Sequence, residues 1–436
     1  MVNKMKQKDT LPLKLSHRKF KQPTAFGSWF YKTVMADIQL CQFKPKITMI
    51  DDVRKENEGA FLLWNHLSRL DHAYIIKTLY PRKFNMVAGY CEFFRSHLAL
   101  VLKLQRILPK KNFCLDPVAI KAILSIIKQK GVVTMAPEGL ATITGVNERV
   151  IGGVGHLLKH CKVPVYFARF AGQALVAPVF SSTYRYGGGS EVTVYRMFSK
   201  EDLEALTTEQ IEDRLMKEFN HDDYDYQEKN HFKWDTKGRA CQGMEDIGYK
   251  CPQCGAEFQM ESEGDDIHCK ACGFSYHSNE YLELIPNQKI ERDFKYPSKW
   301  TLWERQCVIK EIRADPNYSF SFKTTIGTQP LYHYVKGKDR SSEVVGEGIF
   351  TLDHQGMHYQ GTKDGHEFHL DLSYEVYFRL IEEVNARMFS LYIDGDYYEF
   401  APTERIVCKA DFICQEMHRL HFNTWKCVPE HAYLYE

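Results

Sequence analysis

The sequence predicts an α/β domain, then a small cysteine-rich module, then a mostly β C-terminal domain closed by a helix. Three observations lead to this prediction. Strand-like and helix-like segments alternate between about residues 58 and 198, as in α/β domains. Four cysteines stand in two close pairs within residues 251–272. From about residue 343, short alternating segments are separated by turn signals, and a helical stretch follows them.

The N-terminal segment, residues 1–44, is basic. Residues 1–50 hold ten Lys and Arg against Asp9 and Asp37, although the 436-residue chain has a net charge of only +1. Such a segment can lie on an anionic membrane, and a solvated tail is the alternative. No apolar run reaches the ~18 residues that a membrane span requires. The nearest run, residues 93–108, contains four ionisable side chains and is expected to form an amphipathic helix.

The α/β domain is expected to cover residues 45–230. Its first clear elements are a buried strand at Phe61–Trp64 and a helix from about Ser68 to Thr78. Asp116 and Gly131 are suited to begin and end a second helix, whose apolar positions form a wide stripe. Further β runs are expected at residues 132–135, 163–170, 174–180 and 191–197.

A helical tail is predicted at the end of this domain. Ser199 with Asp202, and Thr207 with Gln210, have the spacing of two capping boxes. The tract 220–230 is polar and acidic, and we expect it to be a linker or a domain boundary.

The cysteine pairs have metal-ligand spacing. Cys251, Cys254, Cys269 and Cys272 stand as C-x2-C-x14-C-x2-C, which resembles a zinc ribbon, expected at residues 246–285. Four thiolates complete a tetrahedral zinc shell and leave no position for catalysis, so the expected Zn²⁺ is structural. Iron and redox-active dithiols are the alternatives. The other cysteines are scattered and the total of 13 is odd, which favours a reducing, cytoplasmic location.

The stretch "NHLSRLDH", residues 65–72, is the candidate catalytic segment. His66 and Asp71 are five residues apart, roughly 140° on a helix, so they meet only if His66 lies in a turn and Asp71 in the next helix. A structural reading is open, because Ser68 to Asp71 also fits a capping box. In the functional reading, Asp71 fixes the tautomer of His66, which deprotonates a bound hydroxyl.

The motif N-H-x-S-x-x-D after an apolar strand resembles the first motif of the glycerolipid acyltransferases, the lysophosphatidic acid acyltransferase family. The loop Ala136-Pro137-Glu138-Gly139-Leu140 resembles their Phe-Pro-Glu-Gly-Thr motif, and "VPV" at 163–165 resembles their last motif. The resemblance covers roughly residues 45–220. It implies a 1-acylglycerol-3-phosphate O-acyltransferase-like enzyme, which transfers a fatty acyl group from acyl-CoA or acyl carrier protein to a lipid hydroxyl.

The resemblance also implies the roles of individual residues. His66 and Asp71 would be catalytic, as general base and orienting partner, and Asn65, Glu138 and Gly139 would belong to the substrate-binding site. Two motifs depart from the family pattern: Leu140 and Ala141 follow Glu-Gly where the family usually has Thr or Ser and then Arg, and Pro117 replaces an arginine. The residues lost from both motifs commonly serve a phosphate-bearing acceptor, so another lysolipid, a glycolipid or another lipid alcohol is open. Lys110 and Lys111 are the nearby cations that could substitute.

The C-terminal part, residues 343–436, resembles a pleckstrin-homology or GRAM-like domain, and residues 286–342 are expected to connect it to the ribbon. Asp364-Gly365 and Asp394-Gly395 predict hairpins, and a final helix is expected from Thr403 to about Phe422. Either this domain or the ribbon could bind a protein partner.

The main alternative is a non-catalytic lipid- or acyl-binding scaffold with a degenerate acyltransferase fold. Slow thioester hydrolysis is also open, since the same base could activate water. No nucleic-acid partner is expected, because residues 255–268 carry five acidic side chains and no Lys or Arg. The expected location is cytoplasmic, peripherally associated with membrane lipids.

Overall fold

The protein was analysed as a computed structural model, which describes residues 10–337, 340–383, 385–422, 424 and 429–436. Part of the predicted basic segment, including Lys4, Lys6, Lys8 and Asp9, therefore lies outside the described residues.

The first domain is built on a mixed seven-stranded sheet. Its strand order is β1-β7-β6-β2-β5-β3-β4, in which β6 and β7 are antiparallel and the other neighbours are parallel. The strands are β1 (Lys46–Met49), β2 (Ala60–Trp64), β3 (Phe84–Gly89), β4 (Leu108–Lys110), β5 (Val132–Met135), β6 (Val165–Ala171) and β7 (Glu191–Phe198).

Helices surround this sheet. They are α1 (Leu11–Ser16), α2 (Ala25–Lys32), α3 (Asp71–Leu79), α4 (Ala99–Leu104), α5 (Pro117–Lys128), α6 (Val154–Cys161), α7 (Gln173–Val176), α8 (Lys200–Ala205), α9 (Thr208–Phe219) and α10 (Asp223–Asn230). The central strand β2 is buried on both faces: Phe61 and Leu63 pack in the core that contains α5, and Leu62 and Trp64 in the core that contains α3. The unbroken apolar run of β2 is therefore typical of a strand that is covered on both faces in a mostly parallel sheet.

The predicted helix signals of this domain are confirmed. The Asp116 carboxylate accepts a hydrogen bond from Ala119 N at 3.0 Å, which caps α5. Both capping boxes form, at the starts of α8 and α9.

Three predictions in this domain are wrong. Residues 174–180 do not form a strand, because their first residues belong to α7 (Gln173–Val176) and the next strand begins only at Glu191. Residues 93–108 do not form one helix: a 3₁₀ turn ends at Phe94, Ala99–Leu104 is α-helical, and Leu108–Lys110 pairs with β3 at the sheet edge. The tract 220–230 is not simply a linker, because it contains α10. The Asp222 carboxylate caps this helix at Tyr224 N, and the buried Asp223 accepts hydrogen bonds from the backbone N–H groups of Gly172 and Ala174. Its acidic residues therefore serve as caps.

The ribbon and the C-terminal domain follow. The ribbon sheet contains β8 (Met260–Glu263), β9 (Asp266–Cys269), β10 (Ser275–Ser278) and β11 (Leu284–Pro286), and α11 (Pro297–Ala314) comes next. The C-terminal sheet contains β12 (Ser319–Thr328), β13 (Glu343–Asp353), β14 (Met357–Lys363), β15 (His366–Leu372), β16 (Ile381–Glu382), β17 (Phe389–Ile393) and β18 (Asp396–Pro402), and α12 (Val407–His421) closes it.

The C-terminal sheet is antiparallel, with strand order β15-β14-β13-β12-β18-β17-β16. Its strands therefore begin at Ser319, inside the segment expected to be a connection. Both predicted hairpins form. Asp364 and Gly365 have φ values of 53° and 79°, and Asp394 and Gly395 have 50° and 89°, which is the left-handed pair that a tight two-residue hairpin requires.

The ribbon and the C-terminal domain share one hydrophobic core. Cys251 and Tyr276 of the ribbon, Trp300 of α11, and Phe350 of the C-terminal sheet belong to the same buried cluster. Lys409 of α12 also contacts carboxylates of the ribbon and of α11 at 2.6 and 3.0 Å. The ribbon is therefore part of the C-terminal half rather than a separate module.

Within the described ranges, no helix combines the length and apolarity that crossing a bilayer requires.

Candidate functional site

The turn between β2 and α3 brings His66 and Asp71 together. His66 lies in the turn, and Asp71 is the first residue of α3. The Nδ1 atom of His66 is 2.9 Å from Oδ2 of Asp71. Because a carboxylate only accepts, the neutral imidazole carries its proton on Nδ1 and presents Nε2 as the basic atom. The His66 side chain is 28% exposed, whereas Asp71 is fully buried.

The Asp71 carboxylate is fixed by the turn itself. Its Oδ2 also accepts from Leu67 N at 2.6 Å and Ser68 N at 2.9 Å, and its Oδ1 accepts from the Ser68 hydroxyl at 2.6 Å. The predicted capping box is not formed, since α3 has Leu70 at its N-cap without a side-chain cap. Ser68 and Asp71 are instead bonded side chain to side chain, and this contact orients the carboxylate toward His66.

Glu138 supports the same turn from within the protein. Its Oε2 accepts the backbone N–H of His66 at 2.7 Å, and its Oε1 accepts from the Asn147 amide at 2.5 Å and from Glu148 N at 3.3 Å. The residue is only 1% exposed. Burial raises the pKa of Glu138 to about 8, although the three N–H donors act in the opposite direction.

Asn65 is also held within the protein. Its side chain forms two hydrogen bonds with the backbone of Phe170, at 2.7 and 3.0 Å, and a third with Asn147 at 3.3 Å. Asn65 therefore ties the end of β2 to β6. Its expected role in substrate binding, like that of Glu138, stays a prediction, and the contacts in the structure are those of positioning residues.

Gly139 lies where the C-terminal domain meets the site. It has a φ of 82°, and a Cβ there would stand 2.5 Å from Ile151 Cδ1, so the loop requires glycine. Its carbonyl accepts a hydrogen bond from the Asn112 amide at 2.8 Å. The adjacent Phe113 ring packs edge-on against Phe378 of the C-terminal domain, with centroids 5.6 Å apart.

The two candidate lysines are engaged by protein carbonyls. Lys110 Nζ donates to Lys111 O at 2.5 Å and to Cys114 O at 3.1 Å. Lys111 Nζ donates to Gly395 O at 2.5 Å and lies over the Tyr392 ring. The contacts of Lys111 fasten the C-terminal domain to this loop, whereas those of Lys110 lie within the loop itself.

Sequence reasoning missed Asn147, Glu148 and the contact with the C-terminal domain. Asn147 is 82 residues from Asn65 along the chain, and no sequence motif around it distinguishes it from any other asparagine. Only the folded arrangement shows that it joins Asn65 to Glu138.

The four cysteines form the second site. Their sulfur atoms all lie within 4.8 Å of one another, and the Cys251–Cys272 and Cys254–Cys269 pairs are each 3.8 Å apart. Sulfurs bound to zinc at about 2.3 Å in a tetrahedron are about 3.8 Å apart, so the residues fit the metal. Gly255 N and Gly273 N donate to the carbonyls of Cys251 and Cys269 at 2.9 Å, closing the two turns. A closed four-thiolate shell supports structural zinc.

Replacing Glu138 is expected to change how stability depends on pH. The folded pKa of about 8 exceeds the unfolded value near 4.5, so between these values only the folded state holds the proton. Wild type should therefore lose stability relative to Glu138→Gln as pH rises from about 5 to about 8. Urea unfolding across this range tests the prediction, with the exposed Glu204→Gln as control. Parallel stability curves for wild type and Glu138→Gln would contradict it.

Comparisons with known proteins support the metal site. A zinc-ribbon family model, described as "DNA directed RNA polymerase, 7 kDa subunit", matches residues 244–275. No curated protein matches the chain. Among solved structures, the chain is similar to the 1-acyl-sn-glycerophosphate (LPA) acyltransferase PlsC from Thermotoga maritima. The identity is 11%, 44% of this chain and 75% of that chain are covered, and the TM-score is 0.37. This similarity is too low to establish a common fold.

Proposed function

We propose that the protein is a membrane-surface O-acyltransferase that moves a fatty acyl group from an acyl thioester to the hydroxyl of a lysolipid or another lipid alcohol. The observation that supports this function best is the 2.9 Å contact of His66 Nδ1 with the buried Asp71 carboxylate, on an imidazole that is partly exposed to solvent. This arrangement suits a general base whose tautomer is fixed.

The proposed reaction begins when His66 Nε2 takes the proton of the acceptor hydroxyl. The oxygen attacks the thioester carbonyl, and the tetrahedral intermediate collapses with cleavage of the C–S bond. The departing thiolate then takes the proton from the imidazolium, which restores the base. Asp71 stabilises the imidazolium, and the thioester of coenzyme A or acyl carrier protein supplies an already activated acyl group.

Asn65 and Glu138 act in this proposal as positioning residues. Both hold the backbone at His66, and neither side chain is exposed to solvent. Gly139 allows the loop to pass close to Ile151 and Phe113, and the Phe113 ring contacts Phe378 of the C-terminal domain. We therefore expect the C-terminal domain to help shape the acceptor site.

An exposed apolar face near the N-terminus supports attachment to a membrane. Phe26 and Trp29 of α2 are 61% and 50% exposed, and their rings are 5.9 Å apart. Leu100 of the neighbouring α4 is 59% exposed. Residues 10–35 and 93–106 contain no Asp or Glu, and Lys14, Lys19, Lys21 and Lys103 are exposed there. Aromatic side chains among cations suit an anionic lipid surface.

Phe26→Ser combined with Trp29→Ser is expected to weaken binding to anionic vesicles by at least about tenfold, because each ring contributes roughly 1.5–3 kcal/mol on burial. Co-sedimentation with phosphatidylserine-containing vesicles measures the loss. Leu420→Ser, at an exposed apolar residue of α12, should bind as wild type does. Unchanged binding of the double variant would show that this face does not meet the membrane.

The proposed function is tested with a labelled long-chain acyl group on coenzyme A and on acyl carrier protein. Each donor is offered to lysophosphatidic acid, other lysolipids, glycolipids and lipid alcohols. The proposal predicts a labelled ester with one acceptor class, which folded, zinc-loaded His66→Ala forms about 10²–10⁴-fold more slowly. Labelled free fatty acid alone would identify a thioesterase and contradict the proposal.

A non-catalytic lipid- or acyl-binding scaffold is the second candidate. It is favoured by the hydrogen bonds that the side chains of Glu138, Lys110 and Lys111 form with other groups of the protein. These three side chains are therefore bonded in the protein itself rather than presented to a substrate. Binding of acyl-CoA or lysolipid by wild type, without turnover of either donor, would support the scaffold.

A further inference from the structure

A loop of the C-terminal domain lies on the α/β domain and exposes aromatic side chains. Residues 329–337, between β12 and β13, form this tyrosine loop. Leu331, Tyr332 and Tyr334 are 52%, 61% and 41% exposed. Val335, in contrast, is only 4% exposed and packs in a core of the α/β domain. The tyrosine loop is therefore anchored by one apolar residue and presents the others to solvent.

Backbone hydrogen bonds fix the tyrosine loop on two segments of the α/β domain. Val335 N donates to Phe94 O at 2.8 Å, and Ser96 N donates to Val335 O at 3.1 Å. Leu11 N, at the start of α1, donates to Leu331 O at 2.7 Å. These bonds hold the loop against α1 and against the segment that leads into α4.

Helix α4 connects the tyrosine loop to the exposed aromatic rings of α2. The helix begins three residues after the bonded Ser96, and it exposes Leu100. At its other end, Leu104 lies against α2, where a Cβ on Gly27 would stand 2.5 Å from the Leu104 carbonyl oxygen. Exposed apolar side chains therefore continue from the tyrosine loop across α4 to α2.

The charges around the tyrosine loop suit an anionic partner. Residues 329–337 contain no Asp or Glu, and Lys336 is exposed there. The exposed Lys14 lies on α1, which is bonded to the loop. The adjacent Glu343 carboxylate is paired with His333 at 2.8 Å. Tyrosine is enriched where a bilayer meets water, and lysine is attracted to anionic headgroups, so the combination matches a lipid surface.

We propose that the tyrosine loop is a second membrane contact, through which the C-terminal domain binds the same anionic bilayer as α2. This inference rests on the proposed attachment to a membrane and extends it to the other half of the protein.

The second contact orients the candidate site. Strands β2 and β3 both run parallel to β5, so their carboxyl ends lie at one edge of the sheet. His66 follows β2 at this edge, and Phe94, to which the tyrosine loop is bonded, follows β3. Attachment through both α2 and the tyrosine loop therefore fixes how this edge faces the lipid.

Co-sedimentation of the full, zinc-loaded protein with vesicles of phosphatidylcholine and phosphatidylserine tests the contact. Tyr332→Ser combined with Tyr334→Ser should weaken binding about tenfold, because two rings no longer enter the bilayer interface. Lys336→Gln should weaken it about fivefold, and only when phosphatidylserine is present. Tyr433→Ser, at a 48% exposed tyrosine near the C-terminus, should bind as wild type does.

Hydrogen exchange of the wild-type protein locates the contact directly. Vesicles should slow amide exchange in residues 329–337 and in α2, and should leave the ribbon, residues 246–285, unchanged. Exchange in the tyrosine loop that vesicles do not alter, or full affinity of the double tyrosine variant, would overturn the proposal. A double variant that binds vesicles as wild type does but no longer forms a dimer would instead identify the loop as a contact between two copies of the chain.

These assays separate the tyrosine loop from the other proposals. Neither requires turnover, so the result stands apart from failure of acyl transfer. Full vesicle binding by the Phe26 and Trp29 double variant would contradict attachment through α2, whereas exchange in residues 329–337 still decides whether the loop meets the membrane.

Discussion

His66→Ala is expected to lower kcat for acyl transfer by about 10²–10⁴-fold, the usual contribution of a general base. The fold should be retained, because the His66 backbone contacts with Glu138 and Thr142 do not use its imidazole. Transfer rates at saturating donor and acceptor, with circular dichroism as the check on folding, measure the effect.

Added imidazole provides a sharper form of this test. The His66 ring is partly exposed, so a free imidazole can enter the space left in His66→Ala and recover part of the rate. A purely structural histidine would not be rescued in this way. Activity of His66→Ala within a few-fold of wild type would contradict the assignment of the base.

Asp71→Asn is expected to lose nearly as much activity. The Asp71 carboxylate accepts from His66, from the Leu67 and Ser68 backbone and from the Ser68 hydroxyl. An amide has one acceptor oxygen and presents its NH₂ group to some of these donors, which disturbs the tautomer and the turn together. Asp202→Asn, at the start of the distant α8, is the matched control.

Removal of zinc is the second change for which we expect a large effect, because it should destabilise the whole C-terminal half. Structural zinc contributes about 10–16 kcal/mol in small metal-dependent domains at pH 7. Here Cys251 and Cys269 also lie in the core shared with the C-terminal sheet. Chelation or Cys251→Ser should therefore lower Tm and increase hydrogen exchange in β12–β18 as well as in the ribbon.

Zinc analysis and thermal unfolding together check this prediction. Wild type should carry one zinc per chain, and Cys41→Ser, at an exposed cysteine outside the cluster, should keep both the metal and the Tm. A zinc-free wild type with an unchanged melting curve would contradict a structural role. Reversible oxidation of the two cysteine pairs without bound metal would favour the dithiol alternative.

Local chemistry made part of this structure predictable. Asp116 at the start of α5, the two Asp-Gly turns and the cysteine spacing each act through neighbours in the sequence. The pairing of His66 with Asp71 could also be predicted from the sequence, because a helix that begins shortly after a strand ends leaves few other arrangements for these two side chains.

The rest depended on contacts between distant segments. Leu108–Lys110 is a strand because β3 offers an edge, despite the helical pattern of residues 93–108. The acidic tract 220–230 is fixed partly because Asp223 accepts hydrogen bonds from the backbone N–H groups of Gly172 and Ala174, 51 and 49 residues away. Similarly, nothing in the sequence of the C-terminal strands and hairpins predicts that Phe378 contacts Phe113 or that Gly395 contacts Lys111.

A single-turnover reaction tests the central claim most directly. Excess zinc-loaded protein is mixed with labelled long-chain acyl-CoA and the acceptor, on anionic vesicles, and ester, free fatty acid and thiol are followed over time. The proposal predicts that ester and thiol appear together at one rate in wild type, and about 10²–10⁴-fold more slowly in His66→Ala. Release of fatty acid without ester, or ester formation by His66→Ala at the rate of wild type, would contradict it.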